Sequence, residues 1–474
     1  MVRSKWFFPI PFSIFFSISL LIQFGTLWLI GYDAYFHIKF SFLLKKDLFI
    51  ENLPWLWYTI YREEFRDHHF LFHYLLIPFT FGDLIFWGKI AAALFMALAW
   101  FTFYKILQAA KVQMALFWSL IGFLSSHTFL FRLSMLRIQS LALAFILILF
   151  YFHMTKNFIA ILIFSFIFAH LYDGFPLAVV ISFCFTIADF LINRKLEYRY
   201  IPSSSGGIFL GLVINPYFPD NIASFIFNIH RTIFFKEEGI KLGIEWYPYT
   251  TWFLLENMLL AFIAFVILFL FLPFVRNIKP EGYASLMLSL FFLILLFKSR
   301  RFIEYTPAFL MLSFILIVIR NLHKKYGILL IALFTPIALL HLFESRKEVR
   351  KTPSPIKYRG AALWLKKNSN KGDIVFNADW DDFPFLFFYN HKNYYIVGLD
   401  PMYMYKYDKK LYRLYQMITR GKVMTPSRFI KNKFKAKYIF TDKMHKKFIR
   451  VLKMDKGVKK VYEDKFSIVY KIIK

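Results

Sequence analysis

"IGYDAYFHIKF" (residues 30–40) stands where the first apolar run of the chain ends. That run is long enough to span a bilayer and no small-residue cleavage pattern closes it, so we expect it to be retained as a first membrane helix. A helix leaving a bilayer needs aromatic anchors, but it does not need Asp33 and His37 one helical turn apart. Because an aspartate at a membrane boundary is costly without a task, we interpret Asp33 as functional.

The composition is that of a polytopic α-helical membrane protein. Of 474 residues, 58% are hydrophobic and 64 are Phe, and the mean hydropathy is +0.50. No soluble domain buries so many phenylalanines. The net charge is +30, but basic residues are spread through short loops and the tail without a nucleic-acid-reading module. We therefore expect membrane lipids as partners and no nucleic acid. The single cysteine, Cys184, excludes a disulfide within the chain.

Apolar runs predict about eleven transmembrane helices. Basic residues gather at alternate helix ends, and the positive-inside rule assigns those ends to the cytoplasm. An odd number of spans then makes the amino terminus cytoplasmic and the carboxy-terminal tail extracytoplasmic, in a multi-pass protein of the plasma (inner) membrane. The predicted helices lie near 8–30, 82–106, 112–126, 138–154, 157–171, 175–192, 204–215, 252–275, 282–298, 303–320 and 326–343.

We expect two domains. Residues 1–343 form a transmembrane domain, with a first external loop at about 31–81, and residues 344–474 form a soluble α/β domain. The tail holds 32 Lys and Arg against 12 Asp and Glu, and long translocated domains are largely exempt from the positive-inside rule. A helix is predicted at "GAALWLKKN" and short strands at "DIVFN", "YYIVG", "KYIFTD" and "SIVYKI".

The first external loop ends in a second polar group, "REEFRDHHFLFHYLL" (residues 62–76), with Asp67, His68 and His69. Carboxylates and imidazoles in such groups suit either proton abstraction from a hydroxyl or a divalent cation, Mg or Mn, held by Asp33, Asp67 and His69. For any single histidine, interfacial capping at a helix end is an equally good explanation.

The predicted topology places further cations and carboxylates on the same face. Arginines neutralise an anionic leaving group while a carboxylate accepts the acceptor's proton, so this set suits transfer of a group from a lipid phosphate. Contact with phospholipid head groups is the alternative for each cation alone. The candidates are Arg132, Arg137, Asp173, Glu237, Glu238, Glu245, Arg300 and Arg301.

Two stretches resemble the GT-C superfamily of membrane glycosyltransferases. "GYDAYFHIKF" is similar to the "D-x-Y-Y-H-x-R" opening of oligosaccharyltransferase catalytic subunits. In the tail, "WLKKNSNKGDIVFNADWDDF" is similar to their "W-L-x-x-N-T-P" helix, strand and "WWDYG", with Trp380, Asp381 and Asp382 in the matching places. "KSRRFIEYTPAF", which contains Tyr305, is similar to an Arg-containing helix start of the superfamily.

The resemblance implies a glycosyltransferase that moves a sugar or oligosaccharide from a polyprenyl-phosphate-linked donor to an extracytoplasmic lipid, polysaccharide or protein. Asp33 would be the catalytic or metal-binding aspartate of the first loop, and Arg300 or Arg301 would meet the donor phosphate. Two features of this sequence differ from the motifs of that superfamily. The second loop has no D-x-D, which bears on metal dependence, and "DWDDF" is not "WWDYG", so a lipid or polysaccharide acceptor is expected over protein.

Three alternatives remain open at this point. An oligosaccharyltransferase acting on protein is the nearest one, and an inactive GT-C scaffold is another. A membrane transporter or lipid flippase belongs to a different class, and transporters place ionisable groups near the bilayer midplane. The charges of this chain gather at predicted helix ends, which favours the enzyme.

Overall fold

The computed structural model describes residues 9–234 and 243–473, which form two compact units. The helical unit contains the described residues up to Ile30, His68–Phe234 and Ile244–Thr352, and the sheet unit contains Gly31–Asp67 and the chain from Pro353 onward. The predicted first loop is therefore divided, because its residues 31–67 fold with the tail. Glu237 and Glu238 lie outside the described residues.

Fifteen described helices build the helical unit. They are α1 (Pro9–Gln23), α3 (Phe70–Leu76), α4 (Leu84–Ala109), α5 (Ala115–Phe123), α6 (His127–Ser134), α7 (Ile138–Met154), α8 (Phe158–Leu171), α9 (Leu177–Asn193), α10 (Tyr200–Val213), α11 (Asp220–Phe234), α12 (Thr251–Asn257), α13 (Leu259–Phe271), α14 (Pro280–Lys298), α15 (Thr306–Ile317) and α16 (Lys324–Arg350). Helix α16 continues past the predicted domain boundary at residue 344. Its charged last turns contain an ion pair between Lys347 and Glu344.

Helices α4, α14 and α16 are long and apolar enough to cross a membrane. By length and composition, the described helices provide three spans, or five when each of two bent helix pairs counts as one. The predicted span at 252–275 is one of these pairs, in which α12 meets the helix that follows it at 92°. The predicted span at 112–126 contains only α5 of the other pair, in which α5 and α6 meet at 84°. Shorter apolar helices of 10–17 residues lie at the other predicted positions.

Hydrogen bonds explain both bends. The Ser126 hydroxyl accepts from the backbone N–H of Phe129 (3.2 Å), so a new helix, α6, begins directly after the predicted span at 112–126. At the second bend, Asn257 Nδ2 donates to the Phe253 carbonyl (2.7 Å) and its Oδ1 accepts from the Thr128 hydroxyl (2.9 Å). The two breaks are therefore joined to each other. Broken helices at membrane depth need such internal partners.

The sheet unit is a mixed sheet with helices. Its strand order is β2-β1-β3-β5-β4, in which β1 pairs in parallel with β2 and β3, and β5 is antiparallel to β3 and β4. The predicted α/β tail is confirmed, and β4 is a strand that the sequence did not predict. The elements are α2 (Asp33–Leu43), α17 (Ile356–Asn368), β1 (Ile374–Asn377), α18 (Phe383–Tyr389), β2 (Tyr394–Tyr395), α19 (Pro401–Tyr407), α20 (Lys409–Thr419), α21 (Pro426–Phe434), β3 (Tyr438–Asp442), α22 (Lys446–Met454), β4 (Val458–Glu463) and β5 (Ser467–Ile472).

The first loop is bound to the edge of this sheet by backbone hydrogen bonds. Tyr395 N donates to the Trp55 carbonyl (2.8 Å), and Trp57 N donates to the Tyr395 carbonyl (2.8 Å). Helix α2 packs on α18, with the rings of Tyr35 and Phe385 4.8 Å apart. Residues 31–67 and the tail consequently lie on the same side of a membrane.

Candidate active site

Three arginines of the helical unit surround one carboxylate. Arg137 forms a two-pronged pair with Glu245, with Nη1 donating to Oε2 (3.0 Å) and Nη2 to Oε1 (3.3 Å). Arg301 donates from Nε (3.0 Å) to Glu245 Oε1, and its Nη2 lies 2.9 Å from the same oxygen. Arg132 Nη2 donates to Oε2 (3.1 Å). We call Arg132, Arg137, Arg301, Glu245 and the neighbouring Glu304 the arginine cluster.

The residues of the arginine cluster lie at helix ends and in short turns. Arg132 lies on α6, the short helix after the first bend, and Arg137 immediately precedes α7. Arg301 lies in a 3₁₀ turn, Arg300–Glu304, between α14 and α15, and Glu245 lies in another, Ile244–Trp246. Polar side chains at helix ends thus meet, and Arg132 and Arg137 lie more than a hundred residues from Glu245 in the chain.

Glu304 is a member of the cluster that the sequence did not indicate. Its carboxylate accepts from Arg132 Nε (2.8 Å) and Nη2, and Glu304 is 3% exposed. A buried carboxylate needs such a partner because an uncompensated charge in the protein interior is strongly destabilising. The only available signal was its place three residues after Arg301 in "KSRRFIEYTPAF".

The cluster is an anion-binding arrangement. Burial by itself raises the pKa of Glu245, but Arg137, Arg301 and Arg132 together hold it well below its usual range, so this loop carboxylate is ionised. Three guanidinium groups face two carboxylates, which leaves a positive surplus. Guanidinium forks match carboxylate and phosphate equally well, since both present paired oxygens.

Arg300 and Arg301 have different surroundings. Arg301 also stacks over Trp246, with 4.1 Å from its guanidinium carbon to the ring centre. Arg300 points away from the cluster, donating from Nε to the Pro248 carbonyl (3.3 Å) and lying over the Tyr249 ring (4.7 Å). Neighbouring residues of a 3₁₀ helix project about 120° apart, which explains the divergence. Of the two predicted arginines, Arg301 belongs to the cluster.

Four other predicted residues lie in the helical unit. Tyr305 is buried and its ring stacks on Phe292 (5.2 Å). Asp173 accepts from Asn228 Nδ2 (2.8 Å). The rings of His68 and His69 are 4.1 Å apart, and His69 lies parallel to Tyr172 with 5.9 Å between ring centres. These histidines therefore pack on aromatic rings, as interfacial residues do.

Asp33 begins helix α2 of the sheet unit. It is half-buried in the first turn of the helix, and His37, one turn later, is buried. The preceding Tyr32 packs on Phe385 of α18, 5.2 Å between ring centres. Asp67 is buried at the last position of the loop segment that folds with the sheet. Asp33 and the tail motif at residues 380–382 consequently belong to the same unit.

The tail motif forms part of an acidic cluster at the carboxyl ends of β1 and β3, comprising Asp379, Asp381, Asp382 and Asp442. Asp382 Oδ2 accepts from the backbone N–H of Asp379 (3.1 Å), and the Trp380 N–H is bound by the Asp379 carboxylate (2.7 Å). Asp442 accepts from Lys357 Nζ (2.9 Å) and contacts His445 Nδ1 (2.7 Å). Carboxyl ends of parallel strands meet at one sheet edge, and that rule was the available signal for Asp442, whereas Lys357 and His445 are identified only by their contacts with it.

The acidic cluster shifts the pKa of its members in opposite directions. Burial and the Asp379 charge raise the pKa of Asp381 to about 6, and burial with the neighbouring carboxylates raises that of Asp382 well above its ordinary value. Burial lowers the pKa of His445, but its bonds to Asp379 and Asp442 outweigh this and raise it to about 10. Asp381 therefore changes its protonation state near neutral pH, which suits acid or base catalysis.

The suggested metal set is divided between the two units. Asp33 and Asp67 belong to the sheet unit, and His69 belongs to the helical unit. Among residues 9–234 and 243–473, no three His, Cys, Asp or Glu side chains are grouped so that they could hold a metal ion. A divalent cation held by Asp33, Asp67 and His69 therefore stays a prediction.

No known family model and no curated protein sequence matches this chain. Solved structures do match it. ArnT from Cupriavidus metallidurans in the apo state matches with a TM-score of 0.61 and 11% identity, over 97% of this chain and 97% of ArnT. The ArnT structure bound to undecaprenyl phosphate gives a TM-score of 0.60, also at 11% identity and with the same coverage of both chains.

The arabinofuranosyltransferase AftD from Mycobacteria matches with a TM-score of 0.58 and 12% identity, over 97% of this chain. This chain spans 40% of the length of AftD. This chain therefore shares the fold of ArnT and AftD, in agreement with the resemblance seen in the sequence.

The shifted pKa of His445 predicts a pH-dependent stability. Because the folded-state pKa of about 10 exceeds the ordinary value near 6.5, the stabilisation is complete below pH 6.5 and is lost as pH rises towards 10. Between pH 6.5 and 9 we expect a loss on the order of 2 kcal/mol after allowance for solvent screening. Thermal unfolding of His445→Gln should show a flatter profile than the native protein, whereas the exposed His323→Gln should keep the native slope. Parallel profiles for native protein and His445→Gln would contradict the assignment.

Proposed function

We propose that this protein is a glycosyltransferase that uses a polyprenyl-phosphate-linked sugar donor, and that the arginine cluster binds the phosphate of that donor. The observation that carries the proposal is that three guanidinium groups already hold an anion, the Glu245 carboxylate. A phosphate presents the same paired oxygens with a greater charge. The ArnT structure bound to undecaprenyl phosphate supports a lipid phosphate as ligand of this fold.

Glu245 is the counter-ion of the cluster when no donor is bound. Arg132 is also fixed by Glu304, so two of the three arginines, Arg137 and Arg301, have Glu245 as their carboxylate partner. The donor phosphate then replaces the Glu245 carboxylate between Arg137 and Arg301, while the Arg132–Glu304 pair stays in place. Like-charged arginines keep a counter-ion throughout this exchange, which avoids an uncompensated buried charge.

The chemical step follows from these charges. An acceptor hydroxyl attacks the anomeric carbon of the sugar, the bond from that carbon to the phosphate oxygen breaks, and the lipid phosphate leaves with the bonding electrons. Its negative charge increases as it leaves, and the arginines stabilise that charge. Asp33 takes the hydroxyl proton in this proposal, as the resemblance implies. In the same proposal His37 and Asp67 orient the acceptor.

We assign acceptor choice to the sheet unit. Asp381 and the buried Asp382 lie beside Trp380 at the strand ends, and Tyr32 brings the start of α2 to the same unit. This supports a role of the tail in acceptor choice. A lipid or polysaccharide acceptor is proposed ahead of protein, because "DWDDF" departs from the sequon-reading motif.

The proposed location is the plasma (inner) membrane with about eleven spans, a cytoplasmic amino terminus and an extracytoplasmic tail. The distribution of basic helix ends supports it. The joint folding of residues 31–67 with the tail agrees with a topology that exposes both on one side.

The first test separates the two neighbouring arginines. Arg301→Gln should lower sugar transfer from a radiolabelled polyprenyl-phosphate donor by about 100-fold or more, because it removes one charge from the leaving phosphate. Arg300→Gln is the matched control, since its guanidinium lies outside the cluster, and it should stay within about threefold of native turnover. Melting temperatures of both variants in detergent report their folding. Equal losses in the two variants would reject the cluster as the phosphate site.

The second test addresses the acceptor base. Asp33→Asn keeps the size and the hydrogen bonding of the side chain but cannot accept a proton, so transfer should fall about 100-fold or more. Binding of polyprenyl phosphate should not change, because the variant leaves the arginine cluster intact. Glu63→Gln, an exposed carboxylate of the same loop, serves as control. Native turnover in Asp33→Asn would remove the aspartate from the mechanism.

A further inference from the structure

The sheet unit contains a cavity of about 770 Å³ with a strongly basic lining. The first-loop segment contributes Lys45 and Lys46, and the tail contributes Lys371 and Lys392. We call this cavity the lysine pocket. Among its described lining residues Asp47 is the single carboxylate. Its volume is typical of a small-molecule site, for which about 300–1,000 Å³ is usual.

Aromatic side chains hold the wall of the pocket in place. Trp55 and Tyr394 line it, and Trp55 Nε1 donates to the His391 carbonyl (2.7 Å). Tyr394 is stacked on Trp57, with 4.9 Å between ring centres and a 12° interplanar angle. The pocket is therefore built from elements that the sheet edge already fixes, rather than from free surface lysines.

A buried lysine of helix α2, Lys39, is not paired with a carboxylate among the described residues. Lys39 is 9% exposed, its Nζ lies over the Phe42 ring (4.8 Å), and within the part of the chain that the structure describes it has no ion pair with a carboxylate. Burial and the charge of Lys366 lower the pKa of Lys39 to about 8. Native proteins rarely bury a lysine without a partner, so a missing anion is indicated.

His391 gives a second, independent indication. Its Nδ1 is buried and has no hydrogen-bond partner among the described residues. Burial, Lys39, Lys366 and Lys46 lower its pKa to about 4, so the imidazole is neutral at pH 7. A buried polar atom without a partner costs free energy, and at the edge of a basic pocket a bound ligand would satisfy it.

We propose that the lysine pocket binds a phosphate-bearing anion, either a free phosphate or diphosphate compound or the head group of an anionic lipid. Lysine ammonium groups bind phosphate as point charges, and the neutral His391 ring supplies a directional hydrogen bond. The aromatic wall accommodates the apolar part that carries the phosphate. This site lies wholly in the sheet unit and does not rest on the proposed function.

The experiment measures anion binding to the full-length protein by calorimetry, with inorganic pyrophosphate as the probe in neutral detergent. Lys46→Gln/Lys371→Gln should weaken the affinity by about tenfold or more, because two charged contacts are lost. Lys431→Gln/Lys433→Gln removes the same charge from the exposed face of α21 and should stay within about twofold of native affinity. The titrations are repeated in an Arg301→Gln background, which weakens any binding of pyrophosphate at the arginine cluster, so that the remaining binding reports the lysine pocket.

A second arm identifies the source of the phosphate, and a third examines Lys39. In the second arm, the melting temperatures of the native protein and of the same variants are measured in nanodiscs of phosphatidylcholine with and without phosphatidylglycerol. If the Lys46→Gln/Lys371→Gln pair changes the melting temperature only when phosphatidylglycerol is present, the pocket is assigned to a lipid head group. Lys39→Met should raise the melting temperature without probe and reduce the probe-induced rise, since bound ligands stabilise the folded state. Equal affinities in all variants, or equal losses in the pocket and control pairs, would overturn the proposal.

Discussion

Three arginines can share one buried position only if anions lie between them, and that electrostatic constraint organises the helical unit. Glu245 and Glu304 supply the charge, and four segments of the chain must come together for the pairs to form. Removing one partner of such a network leaves a buried charge uncompensated, at a cost of about 3–5 kcal/mol. The short helix α6 and the two 3₁₀ turns place these side chains at helix ends, where they meet.

The apolar runs, the α/β tail and the helical spacing of Asp33 and His37 were all predictable, because periodicity and composition are local properties. The bends were not, since they depend on Ser126 as a helix cap and on Thr128 meeting Asn257, which is 129 residues away in the chain. The sequence also did not predict that residues 31–67 fold with the tail, because this attachment depends on backbone pairing of Trp55 and Trp57 with Tyr395. Partners chosen by tertiary folding leave no pattern in the neighbouring sequence.

In the candidate site, too, some residues were predictable from the sequence and others were not. Arg132, Arg137, Glu245 and Arg301 were proposed as surface charges of one membrane face, and the structure brings these four together. Glu304 and His445 were missed because each is defined by its partner rather than by a motif of its own. The sequence spacing of Asp67 and His69 did not indicate that the boundary between two folded units lies between them. Similarity to ArnT and AftD at 11–12% identity gives the fold, while the chemistry rests on this chain's own side chains.

The central claim is that Glu245 occupies the position of the donor phosphate. A cryo-EM structure of the protein in a nanodisc with undecaprenyl phosphate tests it directly. The account predicts the phosphate between the guanidinium groups of Arg137 and Arg301, with the Glu245 carboxylate withdrawn and the Arg132–Glu304 pair intact. A lipid phosphate bound elsewhere, while Glu245 keeps all three arginines, would contradict the account.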